Sequence, residues 1–329
     1  MRREWSVAIA IAVLAVVLAV VTPSYFSAGN LRDLFLVNMP VLVIATGATL
    51  VILTGEIDIS VGSAFAVCSV VAGVAAKAGM PAVAAGAVAC AVGAALGALN
   101  GALVSYARIP SIVVTLATMV ALRDGLRWIT QGAWVEDLPP RFQWLGLTQA
   151  LFPVIAGSGA AAVVVATAWI MRNLAAGRNV YATGSNVEAA RLAGIDTAFV
   201  KLIVFTCAGA LTGLAALLNS VRFNQIPSNT GLGLEMKVIA AVVVGGAAIT
   251  GGRGTFTGTV LGVVLLGAIG PALTFLGISA QWERAMQGAI ILAAVTLDAA
   301  RASRGMRITV RTGTVSRIGN SASSGIFRG

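Results

Sequence analysis

Two carboxylates one residue apart, Glu56 and Asp58, follow an uncharged run that begins after Asp33. They lie within Thr54-Gly55-Glu56-Ile57-Asp58-Ile59-Ser60-Val61-Gly62-Ser63, where small residues open a new apolar run at once. Carboxylates beside so apolar a stretch are costly, so they need work to do: ion or proton relay, gating, or fixing a helix start. A third acid, Glu235, heads another apolar run. Together these three acids are the groups on which ion-coupled chemistry would depend. Other chemistries lack their parts. With no histidine, the commonest metal ligand and proton shuttle is missing. Cys68, Cys90 and Cys207 sit in apolar runs without Cys-x-x-Cys spacing and read as small buried hydrophobes. No Ser/His/Asp, Cys/His or metal-ligand cluster supports an enzyme. Gly251-Gly252-Arg253-Gly254 has neither the lysine nor the spacing of a P-loop, so this chain is expected to bind no nucleotide or other cofactor.

The elements that must carry these acids are membrane helices. Apolar residues make up 58% of the 329 and charged residues 10%, with a mean hydropathy of +0.94. A soluble domain carries about 25% charge, so the chain reads as an all-α, polytopic integral membrane protein. Apolar runs at Trp5–Val21, Phe35–Leu53, Gly62–Gly79, Ala82–Tyr106, Ile109–Leu122, Phe152–Met171, Leu202–Val221, Met236–Thr250, Phe256–Ile278 and Met286–Leu297 predict about ten spans. The first reads as a retained helix rather than a cleaved signal peptide, and Pro40 as lying near the start of the second. An even count puts both termini on one side. With the termini inside, cytoplasmic segments hold about 14 of the 22 Lys and Arg, as the positive-inside rule requires. The net charge of +10 fits that rule better than nucleic acid, since no basic patch alternates with aromatics. Residues 1–304 form one transmembrane domain, and 305–329 a basic tail rich in Ser and Gly, expected to be disordered. Gly86, Gly93 and Gly97 predict a small-residue face for close helix packing.

In this layout Thr54–Ser63 falls at a cytoplasmic end. Asp58 and Ser60 then precede or open the third helix as caps, Gly55 and Gly62 give the turn room, and Glu56 is the weaker partner. Candidates for a polar path within or beside the spans are Asn38, Asn100, Thr115, Asn219 and Glu235; each could instead bond helix to helix. The polar stretch Arg123–Gln149, with Trp128, Trp134 and Trp144, offers Arg123, Asp124, Arg127, Glu136, Asp137 and Arg141 either to a docking partner or to headgroups. Between Tyr181 and Lys201, Ser185 or Asn186 can cap a two-turn helix. Glu188 lies in its first turn, Ala189, Ala190, Arg191 and Leu192 are helix formers, and Gly194 is a natural stop. Too short to stand alone, this helix is either a surface connector or a docking knob.

Three motifs carry a family resemblance. The first is Leu53 to Ser63. The second is Ala182-Thr183-Gly184-Ser185-Asn186 with Ala189-Ala190-Arg191-Leu192-Ala193-Gly194-Ile195. The third joins Gly233-Leu234-Glu235 to Ile239–Gly246, Gly251–Thr255 and Gly258-Thr259. With these the chain resembles permease subunits of bacterial ABC importers for monosaccharides and autoinducer 2. Ile109–Ser111 and Trp134–Glu136 look closest to the rhamnose and autoinducer-2 members. The family position after Gly55 is often another glycine, where this chain has Glu56. The resemblance implies a bacterial inner-membrane location and a second permease chain, as homodimer or heterodimer. It also implies a periplasmic sugar-binding protein and a separate ATPase that binds ATP and Mg and docks on the loop around Asn186–Ile195. The competing expectation is a secondary transporter coupled to ions through Glu56, Asp58 and Glu235.

Overall fold

The computed structural model describes residues 3–279 and 281–289, with Leu292 and Thr296. These residues form α1 (Arg3–Val21), α2 (Ala28–Leu53), α3 (Val61–Lys77), α4 (Ala82–Ser105), α5 (Ser111–Thr130), α6 (Leu151–Asn173), α7 (Ala175–Ser185), α8 (Val187–Leu192), α9 (Thr197–Ser220), α10 (Leu234–Val244) and α11 (Phe256–Phe275). Helical turns resume at 282–289. Among the described residues the one extended pairing is a bridge between Val135 and Ile226. Six helices, α1, α2, α4, α6, α9 and α11, are long and apolar enough to cross a membrane. Three of the other expected spans are the 17-residue α3, the more polar α5 and the 11-residue α10. The last expected span, Met286–Leu297, and the 305–329 tail lie largely or wholly outside the described residues.

α2 is the central post. In its most apolar window 83% of residues are buried, against 11% for α1, which leaves α1 at the periphery. It begins at Ala28, well before its apolar run, so Pro40 is interior rather than near the start. A mid-helix proline leaves the carbonyl four residues earlier without its donor. Arg222, just past α9, supplies one: its guanidinium donates to the Leu36 carbonyl at 2.9 Å.

α4 and α9 pack backbone to backbone, as the glycine spacing predicts. A Cβ on Gly93 would fall on the Gly209 carbonyl, one on Gly97 on the Phe205 carbonyl, and one on Gly209 on the Gly93 carbonyl. Neither side can give way, because both neighbours are main chain. Gly209→Val is therefore expected to cost about 1–3 kcal/mol, the usual range for overpacking. It should appear as a lower melting midpoint of the detergent-solubilised protein; an unchanged midpoint would contradict this packing.

α3 and α10 are short for a common reason. Each follows a long helix through a non-helical link, 54–60 after α2 and 221–233 after α9. Gly55 (φ 82°) turns the first link. Pro227, with Gly231 (φ 74°) and Gly233 (φ 82°), turns the second. The two links meet where Gly62 opens α3. A Cβ there would lie 2.5 Å from the Gly231 carbonyl oxygen and would also strike the Glu235 carboxylate. Non-helical backbone inside a membrane protein is tolerated where it is enclosed by protein or lines a wet cavity.

Candidate functional site

Parts of all three sequence motifs, Leu53–Gly55, Gly184 and Gly251–Gly252, converge at one end of the bundle. α2 stops at Leu53, whose carbonyl accepts from the Gly252 amide at 2.9 Å. α7 crosses the same point: a Cβ on Gly184 would overlap the Leu53 carbonyl and come within 2.7 Å of the Gly252 nitrogen. On Gly251 a Cβ would be 2.7 Å from the Gly55 nitrogen and 2.8 Å from the Gly184 carbonyl oxygen. Tyr181 donates its hydroxyl to the Gly254 carbonyl at 3.0 Å. The expected span Met236–Thr250 thus ends early. Gly245 and Gly246 (φ 101°) stop α10 at Val244, and the following turn closes on α2 and α7.

The 54–60 link is tied on both sides. Lys201, one turn into α9, forms an ion pair with Glu56, and the two side chains are only 17% and 15% exposed. On the other side, the Ile57 amide donates to the Ser111 hydroxyl at 3.2 Å, and Thr115 donates to the Ile57 and Ser111 carbonyls at 3.3 and 2.8 Å. Ser63 donates to the Met119 carbonyl at 2.9 Å. A polar relay continues inward: Thr118 donates to Asn100 (2.7 Å), Asn100 to the Ser60 hydroxyl (2.9 Å), and that hydroxyl to Asp58 (2.6 Å). The Ser60 amide also donates to Asp58, at 2.9 Å. Loss of water raises the Asp58 pKa above its ordinary value, while both Ser60 bonds pull it down. Ser60 occupies the N-cap position of α3, but its side chain makes no cap bond. The expected capping is therefore replaced by a network: Asp58 fixes Ser60, and Ser60 joins the link to α4 and α5.

The path candidates divide. Asn100 and Thr115 are buried and spent on the contacts above. Asn38 donates to the Leu34 carbonyl at 2.8 Å, and its oxygen, without a hydrogen-bond partner, lies against Gly267. Asn219 lines a cavity beside α10. Glu235 is 9% exposed, in the first turn of α10, and its Oε2, also without a hydrogen-bond partner, faces Gly62. It sits at the start of α10, the span end expected from the sequence, where that start meets the start of α3 at Gly62. Arg123, Asp124 and Arg127 belong to α5, not to a loop, and Arg123 turns inward to donate to the Thr230 carbonyl at 2.9 Å. Glu136, Asp137 and Arg141 do lie in the following loop.

α8 stands at the motif end with its termini fastened. Asn186 accepts from the Ala189 amide at 3.0 Å, and after Gly194 (φ 82°) the Ile195 amide returns to the Ala190 carbonyl at 3.0 Å. Asp196 caps α9 by accepting from the amides of Ala198 and Phe199. Arg191 donates to the Thr197 hydroxyl at 3.0 Å and lies 3.9 Å from Glu188. Ala190 packs inward at 4% exposure, whereas Leu192 is 84% exposed. The apolar face that α8 offers outward is therefore Leu192 with Ala189, not Ala190. Lys201 and Thr118 are not among the candidate site residues of the sequence, and Ser111 enters only through the Ile109–Ser111 resemblance; Lys201 is marked only as a basic residue just before the Leu202–Val221 run.

No group of three or more metal-ligating side chains occurs among the described residues. The site joins a capped surface helix, an ion pair and a hydrogen-bonded link into the bundle. Residues 30–295 match the family described as the branched-chain amino acid transport system permease component, and the chain belongs to that family. It is a multi-pass transport subunit of the bacterial inner membrane. Among individual relatives, it is 38% identical over 298 residues to the autoinducer 2 import system permease protein LsrC of Yersinia pseudotuberculosis serotype O:1b (strain IP 31758). The match covers 90% of this chain and 85% of that protein. The protein of the same name in Yersinia pestis (strain Pestoides F) is 37% identical over the same length, again 90% and 85% of the two chains. These matches bear out the resemblance to permease subunits of bacterial ABC sugar and autoinducer-2 importers. No solved structure matches the chain.

Proposed function

We propose that this chain forms, with a second permease chain, the translocation pathway of an ATP-driven importer for a monosaccharide or autoinducer 2. Autoinducer 2 stands first and rhamnose-like sugars second. A periplasmic binding protein delivers the substrate, and a separate ATPase, holding ATP and Mg, docks on α8. The observation that carries this reading is similarity along nearly the whole of both chains to relatives named for autoinducer 2 import. The geometry supports it: α8 is capped, exposes Leu192, and connects through Thr197 and Lys201 to the 54–60 link.

The ion-coupled alternative has one observation in its favour, the placement of Glu235 beside two broken helices, where such carriers keep their carboxylates. Uptake in proteoliposomes separates the two. With the cognate ATPase and binding protein present, labelled autoinducer 2 should accumulate only when ATP is supplied. Accumulation by this chain alone, driven by a proton or sodium gradient, would overturn the importer reading.

A further inference from the structure

A cavity of about 740 Å³ lies between α2, the end of α9, the Thr230–Leu234 turn, α10 and the 281–287 segment. Lys237, Asn219, Glu283, Arg284 and Gln287 give it a polar wall, and Phe65 with Ile44 an apolar one. Charged side chains within a membrane protein face a protein interior or a wet cavity, because lipid would not hold them. Part of this wall is fixed. Lys237 pairs with Glu283 at 3.4 Å, Gln287 donates to the same carboxylate oxygen at 3.0 Å, and Glu283 rests on Gly270 of α11. The side chains of Asn219 and Arg284 make no hydrogen bond among the described residues, and Arg284 extends over Gly233.

From this arrangement we infer a binding site for a small uncharged polyol of monosaccharide size. The inference rests on the importer reading and deepens it. The volume falls within the range of about 300–1,000 Å³ typical of small-molecule pockets, leaving space for water around one sugar ring. The Lys237–Glu283 pair cancels its own charge, which leaves the Arg284 guanidinium as the one unpaired charge among the described residues of that wall, free to donate to hydroxyl oxygens. Asn219 offers both donor and acceptor, and the Arg284 fork offers parallel donors, the complement of adjacent hydroxyl groups. Phe65 and Ile44 supply the apolar side that a ring's C–H face needs. The cavity touches the first turns of α10, while the far end of α10 enters the turn that closes on Leu53. An 11-residue helix, about 16 Å long, thus joins the sugar site to the motif end.

The test uses the whole complex with its ATPase and binding protein, and labelled autoinducer 2 and L-rhamnose as probes. Asn219→Ala and Arg284→Ala should each raise the KM for uptake roughly tenfold, as expected for losing a ligand hydrogen bond. In a chain with Cys68, Cys90 and Cys207 replaced by alanine, Asn219→Cys should react with a maleimide, and either sugar should slow that reaction. Glu136→Cys, outside the cavity, should be unaffected by sugar. ATP-driven uptake with unchanged KM in both alanine variants and no protection at position 219 would overturn the site while leaving the importer reading intact. Sugar protection at 219 without ATP-driven uptake by the unsubstituted complex would keep the site and overturn the importer reading.

Discussion

Lys201→Glu is expected to cut ATP-driven uptake roughly tenfold or more, and the exchanged pair, Glu56→Lys with Lys201→Glu, to return most of it. The Lys201–Glu56 pair is largely shielded, at 17% and 15% exposure, so a lone partner would keep little of its hydration. Breaking a buried pair costs about 3–5 kcal/mol, and the remaining exposure puts this one toward the lower end. Reversing Lys201 also sets two acids against each other. Position matters more than energy here. Lys201 is four residues from Thr197, which accepts from Arg191 on α8. Glu56 is next to Ile57, which both donates to and accepts from α5. The pair therefore ties the start of α9, which bonds to α8, to the 54–60 link. With Lys201→Glu, ATPase activity should persist while uptake falls, because the docking surface itself is untouched. Glu56→Gly, the residue the resemblance favours at this position, should weaken uptake less than Lys201→Glu, since it leaves a single uncompensated charge. Uptake by Lys201→Glu equal to that of the unsubstituted protein would remove the pair from the coupling path.

The long helices were legible in the sequence because hydropathy is a property of consecutive residues. Their bounds were less so. α2 begins seven residues before its apolar run, since Arg32 and Asp33 lie in a helical turn beyond the most apolar stretch. The Met236–Thr250 run is apolar throughout, yet Gly245 and Gly246 end the helix at Val244, a backbone effect that hydropathy does not register. The Asn186 cap could be read because its contact spans three residues, whereas Glu56 and Lys201 are 145 residues apart. Likewise Leu53, Gly184 and Gly252 share one point only because the end of α2, α7 and the turn after α10 meet there. The Gly93–Gly209 contact was half legible: the spacing on α4 marks a packing face but does not name α9 as its partner. In α8, six residues make fewer than two turns, too few for periodicity to tell the buried Ala190 from the exposed Leu192.

That distinction sets the second large effect. Leu192→Asp is expected to lower the affinity of the permease for its ATPase by about tenfold to a hundredfold without lowering its own melting midpoint. A leucine held 84% exposed on a helix capped at both ends loses nothing in the free chain when it is replaced. On docking, its burial would contribute about 1.5–3 kcal/mol, and an aspartate would carry a desolvation cost instead. Ala190→Trp should behave differently. Ala190 is 4% exposed, so a tryptophan would press against the chain's own packing and lower the melting midpoint together with uptake. Arg191→Glu should fall between them, losing the bond to Thr197 and placing an acid near Glu188 while Leu192 stays in place. Co-purification and titration of the ATPase in detergent, alongside melting curves, read these three outcomes separately. If Leu192→Asp binds the ATPase as tightly as the unsubstituted chain, α8 is a surface connector. Its capping then serves only to carry the chain from α7 to α9. If affinity falls while the melting midpoint holds, the exposed leucine is an interface residue, and the route from Leu192 through Thr197 and Lys201 to the link begins at the partner's surface.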